Sequence, residues 1–425
     1  MAVAEYPGVP MVDSREEMRR KVEEVLAANV VRGLGTPAAK ASKPAEPEPR
    51  DVVFKGTLDE VQDFFYKSMW SDGLPIIPPT LDRVEKFLRF TDRSPDEALG
   101  VLLPENRQAT VWNVAVNGVM AGCRPEYMPV LIAAVEAICD PDFRIEDAGS
   151  TPGGEPLVIV NGPIIKQLDF NCGPSVMRVG RQANTSVGRF LRLYMRNVPG
   201  LRIAPGLTDK GSIAYTFNVA LAENEDAVSD IGCQPFSVDR GFQAGDNVVT
   251  VQSCISISGP CYSGGDTPIE HMETIAEVIG RRSMAYWSGV AAKQGRSHPL
   301  FVLGPSIAGV IARGGWTKDD VRQYLYDNVK AEAGLLERLC WEVAGTRFNF
   351  CRTVEEGGLP PDFCQSTDPE RLVPVFLRPD WINILVSGDP GRNQSKGYLQ
   401  NQKQGPPTSR RVRLPARWDA MLAGA

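Results

Sequence analysis

The chain has 425 residues and a formal net charge of −6, and 43% of its residues are hydrophobic while 23% are charged. These values are typical of a globular protein with one large domain or two closely associated ones. The acidic balance argues against a nucleic-acid surface, and no run approaches the roughly 18 apolar residues of a membrane span. We therefore expect a protein that binds neither nucleic acid nor a membrane.

Cysteine and histidine content restricts the remaining classes. The nine cysteines are irregularly spaced and odd in number, which does not indicate a disulfide framework and favours the reducing cytoplasm. Residues 1–14 also lack the basic and apolar regions of a secretory signal. With only two histidines, His271 and His298, and no Cys-x-x-Cys pair, we expect no metal site. No standard nucleotide-binding glycine motif occurs, so any cofactor stays unknown.

The N-terminal segment differs in composition from the rest of the chain. Residues 14–31 begin with Ser14-x-x-Glu17 and mix charged with apolar residues, which predicts a capped amphipathic helix. Residues 36–50 are rich in proline, alanine and glutamate, as linkers are. We interpret residues 1–50 as a helix and linker outside the main body. This arm either docks on a partner or a neighbouring protomer, or is a disordered leader.

After the arm, predicted helices alternate with predicted strands, which favours an α/β fold with a mixed or parallel sheet and flanking helices. Three prolines within residues 71–80 exclude a helix or a central strand there. We expect a main α/β lobe over residues 51–295 and a second α/β lobe, packed on the first, over residues 296–425. Helices are predicted over 57–70, 81–90, 111–138 (two helices with a bend), 185–198, 268–282, 306–313 and 317–333, and strands over 213–222 and 248–257.

Four apolar, strand-like runs end on a glycine followed closely by a proline: 157–163, 254–260, 301–305 and 384–390. Glycine allows a sharp turn or the close approach of a ligand, and proline ends the strand ladder. Since ligands of α/β proteins commonly lie beyond the carboxyl ends of strands, we predict a ligand cleft at these ends. The residues there that we expect to bind substrate are Asn161, Gly162, Gly304, Ser387 and Gly388.

The segment around Cys123 is the sharpest candidate for chemistry. An apolar stretch breaks at Gly122 and Pro125, which would place the thiol near the start of a helix and beside Arg124. Both features lower the pKa of a thiol, so we expect Cys123 to act as a nucleophile or a redox centre. Glu126 could be the acid or base, or could only complement the helix dipole. In the structural alternative, Cys123 packs as a small hydrophobe.

Further polar residues fit a small-molecule site. Asp72, held among prolines, is either a catalytic carboxylate or the residue of an Asx turn. Arg181 and Asn184 are suited to orient a carboxylate or amide of a ligand, although Asn184 could instead cap the following helix. His271 and Cys261 could form a base and a nucleophile.

Several of these segments are motifs that occur together in a known family. They are DGLP-x-x-PPT at 72–80, VMAGC-x-PEY at 119–127, a strand ending in NGP at 158–163, G-x-x-AN-x-x-x-GR-x-LRL at 180–193, and V-LGP-x-x-A…GW-x-x-x-DVR at 302–322. Over about residues 55–415 the chain resembles a largely uncharacterised bacterial family associated with small proteins that carry a UGSC or CGSC (seleno)cysteine motif, alongside or fused. The resemblance implies thiol or selenol chemistry on a small substrate. Because this chain has no CGSC segment, a redox dyad would come from a partner.

Three functions are compatible with these residues. In the first, the protein is an enzyme that acts on a small polar organic substrate by cysteine thiol chemistry, redox or bond cleavage, with a small cysteine-containing subunit as a partner. Cys123 reacts, and Glu126 or Asp72 is the acid or base. In the second, a cofactor-free hydratase or lyase uses the two acids and Asn117, and Cys123 only packs. In the third, the chain is a noncatalytic large subunit of a heteromeric complex. We expect an oligomer.

Overall fold

The computed structural model describes residues 4–9, 12–35, 48–203, 211, 216, 218–340 and 348–423. The chain divides into two compact units. The small unit comprises Met1–Val53 and Ala331–Val373, and the large unit comprises Phe54–Lys330 and Pro374–Ala425. The three-part division expected from the sequence, with boundaries after residues 50 and 295, stays a prediction.

Helices make up much of both units. They are α1 Arg15–Lys21, α2 Ala27–Gly35, α3 Leu58–Lys67, α4 Leu81–Leu88, α5 Val111–Met120, α6 Met128–Ile138, α7 Ile164–Gln167, α8 Gln182–Asn197, α9 Glu225–Asp230, α10 Phe236–Asp239, α11 Pro268–Ile275, α12 Ala285–Ala292, α13 Pro305–Arg313, α14 Lys318–Asn328, α15 Ala333–Leu339, α16 Phe350–Glu355 and α17 Trp418–Ala423. Single π-helical segments join α1 to α2 and α11 to α12. Within the described part of the chain, no helix has both the length and the apolar content needed to cross a membrane.

Local sequence determines where several helices begin. Helices α1, α3, α5, α11 and α14 start with a capping box, in which the N-cap side chain and a side chain three residues later each accept a backbone N–H. In α1 the N–H of Glu17 donates to Ser14 Oγ at 3.2 Å, and the N–H of Ser14 donates to Glu17 Oε2 at 3.2 Å. The predicted N-terminal helix is therefore confirmed. The predicted bend is also present, because α5 ends at Met120 and α6 starts at Met128.

The strands form mixed sheets. They are β1 Ala98–Leu102, β2 Arg107–Thr110, β3 Glu155–Asn161, β4 Leu221–Ala222, β5 Val248–Cys254, β6 Ser256–Ile257, β7 Cys261–Tyr262, β8 Leu300–Leu303, β9 Lys330–Glu332, β10 Leu372–Pro374, β11 Asn383–Val386, β12 Gln394–Leu399 and β13 Thr408–Arg411. In the large unit the first sheet has the order β13-β5-β3-β4, and the second has the order β11-β8-β12-β6 with β7 also paired to β12. The β3–β4 and β11–β8 pairs are parallel and the other pairs in these two sheets are antiparallel, so the expected α/β fold with a mixed sheet is confirmed.

Two strand predictions need correction. The run predicted over 248–257 is not one strand, because β5 ends at Cys254 and the N–H of Ile255 donates to the carbonyl of Leu399 at 2.9 Å. The chain leaves the first sheet there and joins the second. Of the strand predicted over 213–222, the described residues contain only β4, and residues 212–215 and 217 lie outside the described part.

Strand β3 shows how the layers of the large unit are built. Successive side chains of a strand point to opposite faces of its sheet. Val158 and Val160 pack into a core with residues of α5, α6 and α8, whereas Leu157 and Ile159 pack into another core with Leu300 of β8. Each of these buried side chains stabilises the fold by about 1.5–3 kcal/mol. The first sheet is therefore covered by helices on one face and by the second sheet on the other.

The small unit contains an aromatic cluster and a disulfide. Phe350 meets the Phe348 ring edge-to-face and stacks on the Phe363 ring, with ring centroids at 4.8 and 5.6 Å. Cys351 and Cys364 form a disulfide, a pair that the irregular cysteine spacing did not indicate. The chain after α16 folds back and brings the two Cα atoms to 4.8 Å, a separation that a disulfide spans. Cysteine spacing in the sequence does not reveal that approach.

Candidate functional site

Four strand ends, those of β3, β4, β8 and β11, meet in the large unit. The sequence pattern predicts this for β3, β8 and β11, whereas the run at 254–260 follows β5, which is antiparallel to β3 and ends at its opposite end. Strand β3 ends at Asn161, β4 is followed by Glu223, and β11 is followed by Ser387. The Ser387 hydroxyl donates to the carbonyl of Ala222 at 2.7 Å, and its N–H donates to the carbonyl of Leu303 at 3.0 Å. The ends of β4, β8 and β11 are thus joined. The residues that we call the strand-end cluster are Asn161, Gly162, Glu223, Ser387 and Gly388.

The glycines at these strand ends are required by the backbone conformation and by close packing. Gly162 has φ +97°, and a Cβ there would collide with the carbonyl oxygen of Asp246. Gly388 has φ +102°, and its N–H donates to the carbonyl of Cys172 at 3.0 Å. A Cβ at Gly304 would lie 2.9 Å from a backbone oxygen. Since close packing and positive φ already require glycine, the expected contact of these residues with a substrate stays a prediction.

Glu223, which the sequence patterns did not single out, is the centre of this cluster. Its side chain has no exposed surface. Its Oε2 accepts from Asn161 Nδ2 and from the N–H of Phe236, both at 2.6 Å, and its Oε1 accepts from the N–H of Val386 at 3.3 Å. Burial raises the pKa of Glu223 to about 7, although Lys318 and these three donors act in the opposite direction. A glutamate directly after an apolar strand was the signal available in the sequence.

A second carboxylate completes the hydrogen bonding of this cluster. Glu225 Oε1 accepts from Asn161 Nδ2 at 2.9 Å and from the N–H of Gly162 at 2.7 Å. The Asn161 amide therefore bridges Glu223 and Glu225, and its own Oδ1 is buried with no hydrogen-bond partner among the described residues. The carboxylates of the cluster are thus held by donors of the protein itself.

Asn184 and Arg181, which were expected to orient a ligand, both have partners within the protein. Asn184 is fully buried, its Oδ1 accepts from the N–H of Asn171 at 2.7 Å, and its Nδ2 donates to the carbonyls of Asn171 and Ala220, both at 2.9 Å. It fastens a loop and does not cap α8, whose N-cap is Arg181. The Arg181 guanidinium forms an exposed ion pair with Asp169 at 2.7 Å.

Cys123 lies in the main core. Only 8% of its surface is exposed, and burial raises the pKa of its thiol to about 12, with a smaller opposing effect of the Ser186 hydroxyl. The expected lowering of this pKa is therefore wrong. The bend turns the sulfur toward the core, and the Arg124 guanidinium pairs with the Glu126 carboxylate. The thiol role of Cys123 stays a prediction that this environment does not support.

Two other expected site residues have structural partners. Asn117 Nδ2 donates to the carbonyl of Asn113 at 2.9 Å, and its Oδ1 accepts from Asn197 Nδ2 at 2.8 Å, which ties α5 to α8. The expected pair of Cys261 and His271 is not formed. The sulfur of Cys261 lies 3.9 Å from the carbonyl of Thr274, and burial raises the pKa of that thiol to about 11.

Asp72 lies against one face of α8. Its Oδ2 accepts from Arg189 Nε and its Oδ1 from Arg189 Nη2, both at 2.8 Å. Burial by itself would raise the pKa of Asp72, but the hydrogen bonds and charge of Arg189 outweigh it and lower that pKa. The N–H of Leu74 also donates to Asp72 Oδ1 at 3.3 Å, which is the Asx-turn bond. Asp72 is therefore both a turn residue and an ionised carboxylate.

A cavity of about 430 Å³ opens beside Asp72, within the size range of small-molecule sites. We call it the arginine pocket, and the lining residues that bear on its chemistry are Asp72, Glu155, Arg192, Arg196, Thr216 and Asn218. Arg192 Nε lies 3.5 Å from Glu155 Oε1, and the Thr216 hydroxyl donates to Glu155 Oε2 at 2.6 Å. Glu155 opens β3 and is 6% exposed.

Three arginines of α8 lie in or beside this pocket. Arg189, Arg192 and Arg196 are spaced three and four residues apart on α8, so they lie on one face of the helix. Arg189 pairs with Asp72 at 2.8 Å, Arg192 lies 3.5 Å from Glu155, and Arg196 Nε donates to the carbonyl of Met69 at 2.9 Å. A guanidinium group binds carboxylate or phosphate through paired hydrogen bonds. The spacing of these arginines is visible in the sequence, but the groups that they face are not.

A second cavity, of about 400 Å³, also has cations in its wall. Lys318 and Arg322 line it, and both pair with Asp239, at 2.9 and 2.8 Å. Arg322 also pairs with Asp319 at 2.6 Å. Both cations therefore pair with carboxylates, and no glutamate is among the described residues that line this cavity, whereas the buried Glu155 lines the arginine pocket.

Two further findings concern metal ions and known proteins. Over the residues that the structure describes, no group of three or more His, Cys, Asp or Glu side chains is arranged to hold a metal ion. Comparisons of the chain with models of known protein families, with curated proteins and with solved structures found no match.

Proposed function

We propose that the arginine pocket binds a small organic anion and that the protein is a hydratase or lyase which moves a proton on that substrate. The observation that carries this proposal is a cavity of about 430 Å³ whose wall holds two arginines, Arg192 and Arg196, together with the buried Glu155. Buried acids beside cations are typical of sites that stabilise a charge developing during a reaction.

Each residue of the pocket has a distinct role in this proposal. Arg192 and Arg196 bind the substrate carboxylate, and Arg189 fixes the ionised Asp72. Glu155 takes a proton from the carbon next to the substrate carboxylate, and the guanidinium groups stabilise the negative charge that forms on the carboxylate oxygens. Glu155 then gives that proton to a hydroxyl group leaving the adjacent carbon. The products are water and an unsaturated acid, and hydration is the reverse.

Thiol chemistry in the form expected from the sequence has less support. Cys123 does not line the arginine pocket, and burial raises the pKa of its thiol. A small cysteine-containing partner, an oligomer and a cytoplasmic location stay predictions. Co-purification of the full chain with a candidate protein carrying a CGSC motif tests the first of these, since a stable partner would elute with the chain from a sizing column.

Calorimetric titration tests the pocket assignment. Malate, fumarate and inorganic phosphate are suitable first probes, since they differ in shape and charge. We expect one of the two carboxylates to bind, and we expect Arg196→Ala and Arg192→Ala to weaken that binding by about 10- to 100-fold, as for charge-assisted hydrogen bonds. Arg181→Ala is the matched control, because it removes an exposed arginine outside the pocket. Equal weakening in the control, or unchanged binding in both pocket variants, would overturn the proposal.

A further inference from the structure

The loop between β7 and α11 contains a serine and a histidine in direct contact. Ser263 Oγ lies 2.8 Å from His271 Nδ1, and His271 Nε2 lies 3.0 Å from the carbonyl oxygen of Gly265. His271 has no exposed surface, whereas Ser263 keeps 9% of its surface exposed. The Ser263 hydroxyl thus rests on a buried imidazole, directly before the exposed Gly264 and Gly265.

The partners of His271 determine which nitrogen carries the proton. A carbonyl oxygen only accepts hydrogen bonds, so Nε2 must donate to Gly265 and carries the hydrogen. In the neutral ring Nδ1 is then the base, and it accepts from the Ser263 hydroxyl. After a proton moves from Ser263 to Nδ1, the Nε2 bond to Gly265 is unchanged. The geometry therefore suits both protonation states, as a nucleophile and its base require.

Two glycines place further donors beside this pair. Gly264 and Gly265 follow Ser263 directly, both are exposed, and their N–H groups make no hydrogen bond to the described part of the chain. Gly265 has φ +136°, a conformation that L side chains rarely adopt. The N–H of Asp266 donates to Glu270 Oε2 at 2.9 Å, which fastens the loop to α11. Unused N–H groups next to a nucleophile can stabilise an oxyanion.

We propose that Ser263 and His271 form a nucleophile and base that react with small acyl esters, at a site separate from the arginine pocket. The Ser263 oxygen bonds to the acyl carbon while its proton passes to His271 Nδ1, and the N–H groups of Gly264 and Gly265 stabilise the oxyanion. The bond to the leaving alcohol breaks and the alcohol takes the proton from Nδ1. Water then releases the acid by the same route and restores the serine.

Covalent labelling of the full-length protein tests this pair. A fluorophosphonate probe forms a bond from serine oxygen to phosphorus and releases fluoride, and mass spectrometry locates the adduct. We expect one adduct, on Ser263. Ser263→Ala should abolish it, and His271→Gln should slow labelling by about 100-fold, because glutamine can still donate toward Gly265 but supplies no base.

Ser306→Ala is the control, since Ser306 is a partly exposed serine with no histidine partner, and its hydroxyl donates to the carbonyl of Arg392 at 3.1 Å. It should label like the wild type. Hydrolysis of p-nitrophenyl acetate gives a second readout, in which Ser263→Ala should lose the wild-type rate. An unlabelled wild-type protein, or an adduct that persists in Ser263→Ala, would overturn the proposal. Both outcomes count even if His271→Gln fails to fold, because neither uses that variant.

Discussion

A buried glutamate lies at each end of strand β3, and the two glutamates have different surroundings. At its start, Glu155 faces a cavity of about 430 Å³ together with Arg192 and Arg196. At its end, Asn161 donates to Glu223, which is enclosed by backbone and amide donors of the protein. Glu223 has the strongly shifted pKa, yet its donors already satisfy it. A shifted carboxylate pKa therefore indicates a ligand site only where the carboxylate also lines a cavity that a ligand can enter.

The strongest test of this contrast is to neutralise each glutamate in turn. Glu155→Gln should lower turnover by about 1,000-fold, or about 4 kcal/mol, because the proposed acid and base is lost. Glu223→Gln should leave turnover almost unchanged, since Glu223 does not line the pocket. Turnover of the best-binding acid from the titrations is the measurement. A larger loss in Glu223→Gln than in Glu155→Gln would reverse the assignment of the two regions.

Truncation of Glu223 should instead destabilise the protein. Glu223→Ala removes the acceptor of three buried donors, so the free energy of unfolding should fall by about 3 kcal/mol or more. Urea unfolding measures this, and Glu277→Ala, at an exposed ion pair with Arg282, is the control with little expected effect. A change in Glu223→Ala as small as in that control would show that the strand-end cluster does not hold the sheets together.

The pH dependence of stability follows from the raised pKa of Glu223. Below the ordinary pKa of 4.5 the carboxyl is protonated in both the folded and unfolded states and carries no penalty. Between 4.5 and about 7 the unfolded state ionises more readily, so stability falls as pH rises, by about 3 kcal/mol in total. The unfolding free energy of the wild type minus that of Glu223→Gln should decrease over this window. A flat or rising difference would contradict the raised pKa.

The smallest effect is expected at Cys123. Cys123→Ala should leave turnover within about two-fold of the wild type, because the sulfur is buried outside the pocket, while stability should fall by about 1 kcal/mol. Iodoacetamide should react with this thiol only after unfolding. Loss of turnover in a folded Cys123→Ala protein would restore the thiol mechanism expected from the sequence.

Local sequence signals were sufficient for much of the fold. The Ser14–Glu17 box, the bend between α5 and α6, and the ends of β3, β8 and β11 all depend on residues close together in the chain. The crossing of the chain between sheets at Ile255 depends on a distant strand and could not be read locally. The direction of the Cys123 side chain is similarly set by the packing of distant helices.

The candidate site was predicted less well than the fold. Asp72 was identified as a carboxylate, but its partner Arg189 is 117 residues away in sequence. Glu155 and Glu223 acquire their environments only when β3, β4 and α8 assemble. The helical spacing of Arg192 and Arg196 was present in the sequence, yet it could not show what the arginines face.

A crystal structure with the best-binding acid would test the central claim most directly. We expect electron density in the arginine pocket, with carboxylate oxygens within about 3 Å of the Arg192 or Arg196 guanidinium and a substrate carbon near Glu155. An acid bound elsewhere on the protein, with the arginine pocket holding only solvent, would contradict it.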